Sequence, residues 1–137
     1  MKKILLVLCC LCMICGCSSS TEGNMTKVSA EDILKRLQRD DSNSFLLVLT
    51  TSNCYSCDEY EKVVEQLEAE KEFPIYYMNV EDQDKNKMDE LRITIGDYTT
   101  LPMTYYFDAG TLKPENIKSN YIELNTYREW LKQLGIF

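Results

Sequence analysis

The stretch FLLVLTTSNCYSCDEY, residues 45–60, holds a continuous apolar run, a polar turn and two cysteines two residues apart. The run Phe45–Thr50 lacks alternation and is bounded by turn residues, the pattern of a strand buried on both faces inside a parallel sheet. Tyr60, Val63, Val64 and Leu67 then recur at i, i+3, i+4 and i+7, which predicts a helix from about Cys54 to Ala69. The pair Cys54–Cys57 therefore stands where a buried strand turns into a helix.

Working outward, Ser29 and Asp32 match a capping box, with Val28 and Ile33 as its staple. Ile33, Leu34 and Leu37 form the apolar stripe of the helix that follows, and DDSNS, residues 40–44, ends it. Residues 74–80, PIYYMNV, read as a second strand. A weaker helix spans EDQDKNKMDELRI, residues 81–93, with EDQD as its solvated start. A third strand, MTYYF at 103–107, begins after Pro102. Asp108-Ala109-Gly110 is a turn, NIKSNYIEL at 116–124 a fourth strand, and Asn125 caps a last helix carrying Tyr127, Trp130, Leu131 and Leu134, with Gly135 as its stop. Alternation followed by a hairpin and a closing helix predicts a mixed sheet of four strands, or five, with helices on both faces.

The chain has 137 residues, the length of one domain. It has seven Cys and no His. The lack of His removes Cys–His nucleophiles, Ser–His–Asp triads and His metal ligands. Five of the seven Cys lie in the first 17 residues, where Met1-Lys2-Lys3 precedes ILLVLCCLCMIC. A basic start and a short apolar run describe a secretory signal; the run is shorter than the ~20 residues that span a bilayer. ICGC, residues 14–17, resembles a bacterial lipobox, which implies a signal over 1–16, cleavage after Gly16 and lipid on Cys17. Residues 17–28 are then a lipidated Cys and polar tether, and 29–137 the folded domain. An ordinary signal cut further on is the competing reading. With Lys2 and Lys3 removed, 13 basic residues face 22 acidic ones, a net charge of −9, which argues against nucleic-acid binding. Cys54 and Cys57 are the only thiols left, outside the cytoplasm, where disulfides persist.

The element order, the CxxC opening a helix, Leu101-Pro102 before the third strand and the Phe107-Asp108-Ala109-Gly110 hairpin resemble the thioredoxin superfamily over most of residues 29–137. Among small relatives the likeness leans towards bacteriocin-transport-accessory proteins. The resemblance implies a thioredoxin-like α/β fold and a thiol–disulfide oxidoreductase that needs no cofactor or metal. In the family the proline matching Pro102 is cis and lies beside the cysteines, and the backbone of the residue before it, here Leu101, receives a substrate strand. Physical reasoning points the same way. A Cys at a helix N-terminus faces unpaired N–H groups and the positive end of the dipole, which favour the attacking thiolate. Cys54 would attack and Cys57 resolve, with Tyr55 and Ser56 lining the site and tuning it. Tyr55 and Tyr98 are candidates to border a substrate groove. The expected partners are protein thiols or disulfides, or a membrane redox protein, and the chain is expected to be a monomer.

The sequence also departs from the family. Asn53 stands where a Trp is common, no Pro separates the cysteines, and Val48 stands where thioredoxins carry a buried acid. Asp58 and Glu59 oppose thiolate formation nearby. Three other readings compete. A structural disulfide in a non-enzymatic module, an accessory to peptide export or immunity, would close a loop too short to stabilise much. A half zinc site lacks further Cys or His ligands in the mature chain. A thiol peroxidase would use Thr51-Ser52-Asn53-Cys54 but lacks the expected Pro, with Leu47 in its place.

Overall fold

The computed structural model of the chain describes residues 25–39 and 43–137. The elements run β1 (Thr26–Lys27), α1 (Ala30–Gln38), β2 (Phe45–Thr50), α2 (Tyr55–Glu70), β3 (Ile75–Asn79), a 3-10 turn (Val80–Asp82), α3 (Lys85–Ile95), β4 (Met103–Asp108), β5 (Thr111–Ser119) and α4 (Leu124–Gln133). The five strands are ordered β1-β3-β2-β4-β5. β1 and β2 run parallel to β3, β4 runs antiparallel to β2, and β5 antiparallel to β4.

Why β2 lies at the centre follows from its composition. Phe45 through Leu49 are all buried, and successive side chains point to opposite faces. Phe45, Leu47 and Leu49 pack with Ile33 of α1 and Leu91 and Ile95 of α3. Leu46 and Val48 pack on the other face with Val64 and Leu67 of α2 and Trp130 of α4. One unbroken apolar strand thus supplies both cores of a helix–sheet–helix sandwich. Each such side chain contributes about 1.5–3 kcal/mol by leaving water.

The capping box forms as expected. Ser29 Oγ accepts from the Asp32 N–H at 3.1 Å, and the Asp32 carboxylate accepts from the Ser29 N–H at 2.9 Å. The Ser29 hydroxyl, which donates to the Asp32 carboxylate at 2.6 Å, and then the Ser29 N–H hold that carboxyl below its ordinary value. Gly135, left-handed at φ 75°, closes α4: its N–H bonds Lys132 C=O at 2.9 Å, while Ile136 N–H bonds Leu131 C=O at 2.9 Å.

Several elements differ from the sequence reading. The fifth strand exists, and it comes from Thr26–Lys27, residues assigned to the tether. They pair with Tyr76 and Tyr77, and the Val28 N–H continues the ladder to Tyr77 C=O at 2.9 Å. Two exposed residues carry no periodicity, so only the open edge of β3 calls this strand into being. β5 starts at Thr111 rather than Asn116, because Ala109 and Gly110 both take positive φ (48° and 77°) and make a two-residue hairpin loop. It ends at Ser119, before the left-handed Asn120. Pro114 is tolerated there because β5 is an edge strand. The cap of α4 is Glu123, without a side-chain bond, not Asn125. Asn125 Oδ1 instead accepts from Arg128 Nη1 at 2.7 Å, and Arg128 reaches across to Glu70 at the end of α2.

Candidate active site

β2 delivers the chain to the site. After Thr50, the turn passes through Asn53 at φ 53°, a left-handed position that Asn adopts more readily than most residues. Cys54 follows as the N-cap of α2. Its carbonyl accepts from the Cys57 and Asp58 N–H groups at 3.0 and 3.1 Å, and its Sγ accepts from the Cys57 N–H at 3.2 Å. Cys54 and Cys57 are joined as a disulfide, their Cα atoms 5.2 Å apart.

The two sulfurs differ in access. Cys57 is 3% exposed, turned into the α2 core, whereas Cys54 is half-buried at the rim. The Ser56 hydroxyl lies 3.3 Å from Cys54 Sγ. Tyr55 is 79% exposed and projects from the first turn. Beneath the helix, Tyr60 hydroxyl and Thr104 Oγ1 lie 2.7 Å apart in full burial, and burial pushes the Tyr60 phenol well up.

The Leu101–Pro102 peptide is cis. Met103 pairs with Leu49, so the register sets Pro102 beside the C-terminal end of β2, where the cysteine turn departs. The Pro102 carbonyl accepts from Asn120 N–H at 2.8 Å; no backbone group among the described residues bonds to Leu101. Leu101 is half-buried against the α1–α3 cluster, as is Tyr98, whose ring lies under the Arg92 guanidinium at 4.8 Å. Cys17 lies outside the described residues, as does the signal over 1–16.

Other contributors were not legible in the sequence. The Glu81 carboxylate accepts from the Ser52 N–H at 3.3 Å, and Asn79 Nδ2 donates to Ser52 Oγ at 3.0 Å. These bonds tie the cysteine turn to the end of β3. Hydrogen bonds from Ser52 and Thr51 hold the Glu81 carboxyl below its ordinary value. EDQD is therefore more than a solvated start: Glu81 braces the turn and Asp84 caps α3. A cleft of about 290 Å³ opens behind the disulfide, with Lys27, Cys57, Glu61, Tyr77, Asn79 and Gln83 among its walls. Further along α2, Glu68 is pushed up to about 7 by burial and then by Glu65. Among the described residues no group of three or more Cys, Asp and Glu is placed to hold a metal.

No protein-family model and no curated protein matches the sequence. Solved structures do resemble the fold. Thioredoxin f2 of Chlamydomonas reinhardtii superposes with a TM-score of 0.63 at 12% identity, over 80% of this chain and 95% of that one. The reduced thioredoxin pre-protein of Schistosoma mansoni gives 0.63 at 9% identity, over 80% and 96%. A thioredoxin of Malassezia sympodialis gives 0.61 at 16% identity, over 81% and 90%. At such identities the likeness carries the fold alone: this chain has a thioredoxin-like α/β fold, a five-stranded mixed sheet flanked by four helices.

Proposed function

We propose that this chain is a thiol–disulfide oxidoreductase acting through Cys54 and Cys57, held on the outer face of a bacterial membrane by lipid on Cys17. The observation that carries the redox reading is the asymmetry of the pair: a disulfide across the first turn of a helix, with one sulfur at the rim and the other buried. A staple would not need that asymmetry. An exchange centre does, because attack must fall on one sulfur.

In the reducing direction, the Cys54 thiolate attacks a substrate disulfide. One substrate sulfur leaves with the electron pair and takes up a proton, and Cys54 stays joined to the other. Cys57, as thiolate, then attacks Cys54 Sγ. The Cys54–Cys57 bond forms, the mixed disulfide breaks, and the second substrate thiol departs. The dithiol has lost two electrons and the substrate disulfide has gained them. Reversal oxidises a substrate dithiol. The helix N-terminus favours the Cys54 thiolate through unpaired N–H groups and the dipole. The unengaged backbone of Leu101, beside the cysteine turn, suits a docked substrate strand. The exposed Tyr55 ring and the Ser56 hydroxyl line the approach to Cys54. The partners are protein thiols or disulfides and a redox protein that resets the pair.

The test is the reduction potential of the Cys54–Cys57 pair, equilibrated in glutathione buffers. A value between about −120 and −270 mV is expected, the range of working exchange proteins. A pair that resists reduction below about −300 mV, and exchanges only slowly with added thiols, is a structural disulfide. The chain would then be a non-catalytic module, an accessory to peptide export or immunity.

The anchor rests on the sequence: the basic start, the short apolar run and Ile14-Cys15-Gly16-Cys17. Two acyl chains give stable attachment where one does not. Expressed in a bacterium, the native chain is expected in the membrane fraction and Cys17→Ser in the soluble one. Equal partition of both would remove the lipid.

A further inference from the structure

The burial of Cys57 raises a question of proton transfer. Its sulfur must attack as thiolate, yet at 3% exposure the charged form is disfavoured. The central strands do not offer a base. Tyr77, Val48 and Thr104 stand side by side across β3, β2 and β4, and Val48 and Tyr77 pack against α2. Val48 is apolar, the Thr104 hydroxyl is engaged with Tyr60, and burial drives the Tyr77 phenol far above its ordinary value.

The cleft behind the disulfide offers one. Cys57 and Glu61 both line it, and they are one helical turn apart on α2, which sets them on the same face with Cβ atoms about 5–6 Å apart. At about 290 Å³ the cleft has room for water, whose share of liquid volume is about 30 Å³, so a proton can pass directly or through a bridge. Glu61 is half-buried. Its carboxyl is raised first by burial, then by Glu65, and also by Asp58 on the same helix; Lys27 of β1 opposes them. Tyr77 of β3 and Asp82 of the 3-10 turn complete the ionisable groups around the cleft.

We infer that Glu61 takes the proton from Cys57 when Cys57 attacks, and returns it when Cys57 is expelled. This rests on the oxidoreductase reading and deepens it. In resolution the Glu61 carboxylate accepts the Cys57 proton. The Cys57 thiolate attacks Cys54 Sγ, the mixed disulfide breaks, and its electron pair leaves on the substrate sulfur. Glu61 then gives the proton to water through the open cleft. In oxidation the substrate thiolate attacks Cys54, the electron pair leaves on Cys57, and Glu61 protonates it.

The test uses the reduced full chain, with Cys9, Cys10, Cys12, Cys15 and Cys17 replaced by Ser so that only Cys54 and Cys57 remain, and the chromogenic disulfide 5,5′-dithiobis(2-nitrobenzoate). Attack by Cys54 releases one thionitrobenzoate; resolution by Cys57 releases a second. In Glu61→Gln the first release is expected to keep its rate. The second should slow about ten- to a hundredfold near pH 6.5, at or below the ~10²–10⁴ of general-base catalysis, because the cleft admits water. The loss should shrink steadily as pH rises, because hydroxide increasingly ionises Cys57 without Glu61. Glu61→Asp should recover part of the rate. A second measurement is the pH dependence of Cys57 alkylation in Cys54→Ser, which Glu61→Gln should shift. An unchanged second release and an unchanged alkylation profile overturn the inference while leaving the oxidoreductase standing. Absence of both releases from this two-cysteine chain with Glu61 intact overturns the oxidoreductase and the inference with it.

Discussion

Cys54→Ser is expected to abolish thiol–disulfide exchange, a loss of about three orders of magnitude or more, while Cys57→Ser accumulates mixed disulfides. A serine hydroxyl is scarcely ionised near neutrality, so the rim position would present no nucleophile. Removing a covalent catalyst's nucleophile commonly costs about that much or far more. Cys57→Ser leaves the attacking sulfur intact and removes the group that resolves its adduct. The remaining five Cys all lie in the first 17 residues, so the domain holds no substitute. The readouts are turnover with a disulfide substrate and non-reducing electrophoresis for the adducts. Neither variant should unfold: the lost disulfide closes a very short loop and contributes little chain-entropy stabilisation. Retained exchange in Cys54→Ser would show that another group attacks.

Tyr127→Ala is expected to destabilise the fold by about 3–5 kcal/mol, the cost of deleting a large buried aromatic. That is a large share of a typical stability of about 5–15 kcal/mol. Tyr127 is wholly buried at the middle of an aromatic stack. Its ring lies 5.6 Å from Tyr60 at 11° and 5.6 Å from Trp130 at 25°. Tyr60 sits on α2 one turn beyond Cys57, so this stack is where α4 grips the helix that carries the cysteines. The fall should appear as a lower urea midpoint with little change in slope. A cost under about 1 kcal/mol would mean that α4 is not what holds α2 in place.

Much of the architecture follows from short-range physics. Phe45–Leu49 is apolar throughout, and such a strand is stable only with cover on both faces; a three-layer sandwich is the outcome. The Ser29–Asp32 box, the stripe on α2 and the stop at Gly135 act over one or two turns, so their residues reveal them. So does the placement of Cys54 and Cys57 across the first turn of a helix. The rest depends on partners distant along the chain. β1 has no periodicity of its own and exists because β3 leaves an edge open to Val28 and Lys27. The start of β5 depends on the positive φ of Ala109 and Gly110, while its polar side chains resemble loop. Glu81 braces the cysteine turn from 29 positions away. Glu61 reads in sequence as one of several acids on the solvated side of α2. Only the packing of α2 over β3 and β1 turns it into the wall of a cleft shared with Cys57, because burial and proximity are properties of the assembled layers and not of any single segment.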